Sequence, residues 1–277
     1  MDLRLTHVLR YQLDGAPAAD GVAEAGEPGG PGNRLFVPGV LACGECPACR
    51  RGLVAICPAR RLLIDAAGSV PTAPLSAVPD RFLTPLDDPP ELAPLSSPAA
   101  LLAGPVALAQ QALAMASAAP GDAAVWLGGD PLARLGARVV AARGLKAFLL
   151  AAAGDPALPA GEVTTASDSA ELAEAITAAE TPAGGRATRI QRHLVATRSD
   201  PATWSLAARL AAPGGTLTFL GPGPLRLAAV DLPPELRLLR TGAYHPDLVP
   251  ESLALLRREP ALGAHSQPAG DASYRLA

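Results

Sequence analysis

The sequence predicts an α/β protein: a doubly wound parallel sheet in the second half, preceded by a smaller β region built around a cysteine cluster. Three observations carry this. Residues 123–150 read as strand, glycine turn, helix, strand, the unit that sets neighbouring strands parallel. The first 94 residues hold only short apolar runs between turn residues, and all four cysteines fall between positions 43 and 57.

In chain order, residues 34–37, 62–64 and 81–83 are short apolar runs closed by Pro38, Asp65 and Thr84-Pro85, and read as brief strands. After Asp87-Asp88-Pro89-Pro90 the texture changes to Ala and Leu, and residues 99–118 carry apolar side chains at helical intervals until Pro120-Gly121-Asp122. A domain boundary is placed near residue 95. Residues 123–127 form a buried-type strand, Gly128-Gly129-Asp130 a turn, and 131–143 a helix that starts on Pro131 and stops at Gly144. A strand at 148–150, helix at 169–180, strand at 193–195, helix at 202–211 and strand at 216–220 continue the alternation. Residues 265–277 show no periodicity and are expected to trail as a loop or tail. The organisation expected is therefore a β domain over 1–95, with its cysteine lobe at about 40–60, a parallel-sheet domain over 96–245, and a return segment and tail over 246–277.

Composition narrows the function classes. With 277 residues and 49% hydrophobic content the chain has enough apolar surface for a sizeable core. The net charge is −3, and only one basic residue, Lys146, is a lysine. No stripe of positive potential for nucleic acid is expected. The amino terminus lacks the apolar stretch of a signal peptide, and a cytoplasmic protein without a membrane span is expected.

Cys43, Cys46, Cys49 and Cys57 follow C-x2-C-x2-C-x7-C, with Gly44 and Gly52 permitting tight reversals. A soft four-thiolate shell suits zinc and leaves no open position, so such a site braces structure instead of activating water. A disulfide pair, an iron–sulfur cluster and ordinary buried thiols are the alternatives. A cytosolic setting disfavours the first, and the last spacing is longer than the ferredoxin run requires of the second.

The stretch from Val37 to Cys57 resembles the structural-zinc lobe of the medium-chain, zinc-containing alcohol dehydrogenases, including all three cysteine spacings. Through Val37-Pro38, Val40-Leu41 and Leu135-Gly136 it is most similar to the branch that oxidises cyclic hydroxyacyl-CoA thioesters. The resemblance implies a GroES-like domain, here reduced, flanking a Rossmann domain, and one structural zinc per chain. It also implies a second, catalytic zinc, held in part by a His of a Gly-His-Glu segment. This sequence has no Gly-His-Glu, and His7 is the sole histidine among the 42 residues before Cys43. The catalytic half of the first domain is expected to be missing, and His193, His245 and His265 are not expected to replace it.

The nucleotide turn departs as well. Against G-x-G-x-x-G the chain reads Gly128-Gly129-Asp130-Pro131-Leu132-Ala133, so the glycine that lets backbone approach a pyrophosphate is Asp130, while Ala133 is an accepted third position. Asp before Pro is a favoured helix start, the carboxylate capping free N–H groups. The register puts residues 151–153 where the ribose acid belongs, with Asp155 the nearest candidate. NAD(P) binding through Gly128, Gly129, Asp130 and Ala133 is therefore doubtful.

Two functions are weighed. One is a zinc-braced, non-catalytic scaffold or binding subunit, a pseudoenzyme forming a homodimer or pairing with a full-length relative. The other is an active, zinc-independent NAD(P)-dependent oxidoreductase on a small alcohol, carbonyl or acyl-CoA substrate. A zinc-ribbon adaptor is disfavoured by the βαβ order that follows the cysteines. Residues 236–244 fall where a dimer-forming edge strand would lie, with Pro233-Pro234 blunting that edge.

Overall fold

The structure is a computed structural model that describes residues 3–14, 16–25, 33–51, 53–63, 78, 80–87, 94–151, 162–180, 191–221, 231–270 and 273–276. The backbone groups into two units: Met1–Gln12, Ala16–Leu108 and Ala243–Ala277 form the first, and Leu13–Gly15 and Ala109–Gly242 the second.

The first unit contains β1 (Leu3–Leu13), β2 (Ala16–Ala25), β3 (Asn33–Val37), β4 (Val40–Leu41), β5 (Arg61–Leu62) and β6 (Thr84–Pro85). Late in the chain β13 (Ser266–Gly270) and β14 (Ser273–Leu276) join them, giving a six-stranded sheet in the order β13-β14-β1-β2-β3-β6. β1 forms because its residues alternate: Leu9 and Leu13 are buried while Arg10 and Gln12 are exposed. β4 and β5 pair separately, Val40 opposite Leu62 and Leu41 opposite Arg61.

Three expectations need correction here. The tail expected over 265–277 is instead sheet: β14 runs parallel to β1, pairing Val8 with Ser273 and Arg10 with Arg275, and β13 returns antiparallel to β14. Segments this short hold no strand alone; β1 supplies backbone partners to β14, and β14 supplies them to β13. The strand expected over 81–83 is a 3-10 turn, Asp80–Phe82, in which Leu83 N–H donates to Asp80 O at 2.9 Å and one aromatic ring, Phe82, is buried. The single helix expected over 99–118 is two, α2 (Ser97–Leu101) and α3 (Ala103–Ala116). Pro105 has no N–H for the carbonyl four residues back, that of Leu101, and its ring crowds that oxygen, so the turn breaks at Leu102. The span Ser97–Ala116 is long and apolar enough to cross a membrane, but its most apolar 18 residues are 83% buried inside the chain, as in a core helix.

The second unit carries a six-stranded sheet of β7 (Ala123–Leu127), β8 (Lys146–Leu150), β9 (Val163–Ala166), β10 (Arg192–Ala196), β11 (Thr216–Leu220) and β12 (Arg237–Thr241). All neighbours are parallel, in the order β12-β11-β10-β7-β8-β9. α4 (Pro131–Ala142) packs on β7 and β8, α5 (Ser169–Glu180) on β8 and β9, and α6 (Pro201–Leu210) on β10. Every residue of β7 and β11 is buried, which explains their continuous apolar or Thr-containing runs. Leu127, Phe148, Leu194, Trp204 and Phe219 share one core, with the rings of Trp204 and Phe219 centred 4.7 Å apart. The chain winds from β7 to β8 and β9 in one direction and from β10 to β11 and β12 in the other. The switch point of this doubly wound sheet therefore lies between β7 and β10, where such sheets form their ligand crevice at the carboxyl ends of the strands.

Candidate functional site

The metal-ligand cluster is built from a short loop. α1 (Pro47–Arg50) starts on Cys46, whose sulfur accepts from Cys49 N–H at 3.5 Å. Cys46 N–H donates to Cys43 Sγ at 3.3 Å, and Cys43 N–H to Cys57 Sγ at 3.3 Å. Gly44 makes the reversal with φ +77°, and a Cβ there would lie 2.7 Å from Arg81 Nε. Gly52, the other glycine expected to turn this loop, lies outside the described residues.

The four ligand atoms all lie within 4.8 Å of one another, with Cys43 Sγ 3.9 Å and Cys46 Sγ 3.5 Å from Cys49 Sγ. A tetrahedron with metal–sulfur bonds of about 2.3 Å has edges of about 3.8 Å, so the cluster suits a structural zinc. These separations are far too long for a disulfide of about 2.05 Å, and all four cysteines are free. Backbone N–H groups at Glu45 and Cys46 pull the Cys43 thiol down to about 6, whereas burial, reinforced by neighbouring sulfurs, pushes Cys49 up to about 12. Cys49 and Cys57 pack with Leu41, Val54, Leu63 and Phe82 in one apolar cluster. Arg81, which no local motif marks, donates to Cys43 O and stacks over Phe82 at 5.0 Å, holding the lobe from outside the cysteine run.

Histidines do not gather into a second cluster. His7 is on β1 beside Thr6 Oγ1 (3.1 Å), His193 is buried between Thr216 Oγ1 (3.0 Å) and Asp122 Oδ2 (3.2 Å), and His245 lies 3.3 Å from Asp247. His265 is buried at the end of a 3-10 turn. Among the described residues, the four cysteines are the one group of three or more metal-ligating side chains.

The glycine turn sits at the switch point. Asp130 caps α4, its Oδ1 accepting from Leu132 N–H at 3.0 Å and Ala133 N–H at 3.1 Å. Its Oδ2 accepts from the hydroxyl of Thr197, the residue that follows β10. Arg134, a potential counter-charge for a phosphate, donates from Nε to Gly129 O at 2.9 Å. α6 also starts on an Asp-Pro pair, but there Asp200 accepts from Thr203 N–H and from Arg198, both within two or three residues. Asp130 alone of these two caps reaches across to another strand and so spans the crevice between β7 and β10. Ala151 is buried and donates to Ala166 O at 3.0 Å; Asp155, the candidate ribose acid, lies outside the described residues.

A buried acid escaped sequence reasoning in the first unit. Asp20 on β2 accepts from Tyr11 Oη (2.8 Å), Gly39 N–H (2.7 Å) and Tyr244 Oη. Burial pushes its carboxyl up to about 6, although all three donors pull it down. Partners 9, 19 and 224 positions away leave no local pattern to find.

Among solved structures, the chain is similar to alcohol dehydrogenase TADH from Thermus sp. ATN1, with TM-score 0.66 and 20% identity over 96% of this chain and 84% of that one. The chain has the fold of the zinc-dependent medium-chain alcohol dehydrogenases. D-arabinose dehydrogenase from Sulfolobus solfataricus gives TM-score 0.66 at 13% identity, covering 100% of this chain and 92% of that one. A protein from Escherichia coli CFT073 described as a short chain alcohol dehydrogenase, complexed with cofactor NADH, gives TM-score 0.61 at 15% identity over 94% of this chain and 81% of that one. No protein-family model and no curated protein matches the sequence. On this alcohol dehydrogenase fold the cysteine cluster occupies the first unit and the glycine turn the second.

Proposed function

We propose that this chain is a zinc-braced, non-catalytic member of the alcohol dehydrogenase fold, a scaffold or binding subunit working in the cytoplasm. The observation that carries the reading is the Asp130 carboxylate, bonded to Thr197 across the switch-point crevice and to the first N–H groups of α4. A coenzyme pyrophosphate needs that helix terminus free. Two charges ~4 Å apart at an effective dielectric of about 20 repel by roughly 4 kcal/mol, about three decades in affinity. The residues of the turn therefore do not fit NAD(P).

In this reading residues 1–95 and 246–277 serve as the zinc-bearing part and 96–245 as a nucleotide-type fold kept for packing. The partner is a second copy or a full-length relative, joined through β12, which ends the sheet order and exposes Leu238. An active zinc-independent oxidoreductase using NAD(P) on a small alcohol, carbonyl or acyl-CoA is the second reading, favoured by the retained Gly128 and Ala133 and by the NADH complex of a protein with this fold. Metal analysis and titration with NADH and NADPH separate the two. One zinc per chain with no dinucleotide binding supports the scaffold, and micromolar binding supports the enzyme.

A further inference from the structure

Three adjacent strands of the second unit end around one carboxylate. Ser199 follows β10, Gly221 follows β11, and Arg240 is the last residue but one of β12. Ser199 N–H donates to Asp14 Oδ1 at 3.0 Å and its hydroxyl to Oδ2 at 2.6 Å, while Arg240 Nη2 donates to Oδ2 at 2.9 Å. Arg240 Nε donates to Gly221 O at 2.9 Å, which aims the guanidinium. Gly221 keeps the space open, since a Cβ there would lie 2.6 Å from Asp14 Cβ and 2.9 Å from Arg240 Nη2.

Asp14 lies in the two-residue link between β1 and β2 with φ 50°, in the left-handed region that aspartate enters more readily than most residues with a side chain. Burial pushes its carboxyl up, but the Ser199 hydroxyl and N–H and Arg240 outweigh this and set it below the usual carboxylate range. Arg240 Nη1 is buried and has no hydrogen-bond partner among the described residues. A serine N–H, a serine hydroxyl and one N–H of a fixed guanidinium are together a donor set that suits a carboxylate, and the end of an aspartate side chain is chemically an acetate.

We propose that Ser199, Arg240 and the space left by Gly221 form a carboxylate-binding site at the carboxyl edge of the sheet, filled from within by Asp14, and that a small free carboxylate of the acetate class enters it once Asp14 is removed. Asp14 is then an internal ligand that closes this half of the edge where open α/β sheets take their ligands. The site does not depend on whether a dinucleotide binds, so it stands or falls separately from the scaffold reading.

The test is thermal unfolding of Asp14→Gly, which removes the carboxylate and relieves the backbone, in sodium acetate against sodium chloride of equal ionic strength. Acetate at about ten times its Kd is expected to raise the Tm of Asp14→Gly by roughly 3 °C in a saturable way. No acetate-specific shift is expected in the unmodified protein or in Asp14→Gly combined with Arg240→Met. Equal effects of acetate and chloride on Asp14→Gly, or an acetate shift that survives Arg240→Met, overturn the proposal. Where Asp14→Gly does not stay folded, refolding yield reads the same quantity: several-fold recovery in acetate over chloride supports the site, and equal yields overturn it.

Discussion

The cysteine lobe and the glycine turn are both loops that end in a short helix start, and they use their backbone N–H groups in opposite ways. In the lobe, N–H groups of Cys43, Cys46 and Cys49 point at sulfurs that converge within 4.8 Å, leaving a shape that a metal ion completes. In the turn, N–H groups of Leu132 and Ala133 point at the chain's own Asp130, and Thr197 takes its second oxygen. One loop has donors organised around a centre that invites a guest; the other supplies its own. On a fold shared with dehydrogenases, the donors of the first loop face a metal-sized centre and those of the second face the chain's own carboxylate.

The largest effect that sharpens this contrast is metal removal. Structural zinc contributes on the order of 10–16 kcal/mol in small zinc domains, and Cys49 and Cys57 are core members of the lobe. Chelation, or Cys57→Ser, is expected to abolish the one zinc per chain and to open residues 40–63 to limited proteolysis. Full metal loss with unchanged proteolysis would break the contrast on the lobe's side.

Next comes Asp130→Gly, which should raise NADH affinity by up to about three decades while lowering stability by only a few tenths of a kcal/mol through the lost cap. A stability loss without any gain in binding would place the obstruction elsewhere than at this carboxylate.

The first unit has its own buried acid, and its expected effect runs with pH. Asp20 titrates near 6 in the fold against 3.8 for the ordinary side chain. Between these values the folded chain holds more protons than the unfolded one, so stability falls as pH rises from about 4 to about 6, by on the order of 2–3 kcal/mol. Urea unfolding across that interval should show the slope, and Asp20→Asn should flatten it. The smallest effect is that of Thr197→Val, which removes one hydroxyl from Asp130 and should cost ~1 kcal/mol without restoring dinucleotide binding. NADH binding by Thr197→Val would assign the closure to the hydroxyl rather than the carboxylate.

Much of this was legible in local pattern. The sheet of the second unit follows from buried apolar runs between capped helices, and β7, α5 and β11 lie where periodicity puts them. The cysteine spacing and the Asp-Pro start of α4 are equally local. The alternation of Leu5, His7, Leu9, Tyr11 and Leu13 was also there to mark β1, whereas β2 is half alanine, with Pro17, Asp20, Gly21 and Glu24 beside a single β-branched residue, Val22, and carries little strand preference. β14 pairs with β1, 265 positions earlier in the chain, and no local pattern marks that partner. Asp14 could not be found from sequence either, since Ser199 and Arg240 lie 185 and 226 positions away and only the closed fold brings them to it.

Calorimetric titration of NADH into the unmodified protein is the most direct examination of the claim that the crevice is closed by its own acid. No measurable heat of binding up to millimolar coenzyme is expected. Saturable micromolar binding with Asp130 in place would contradict it.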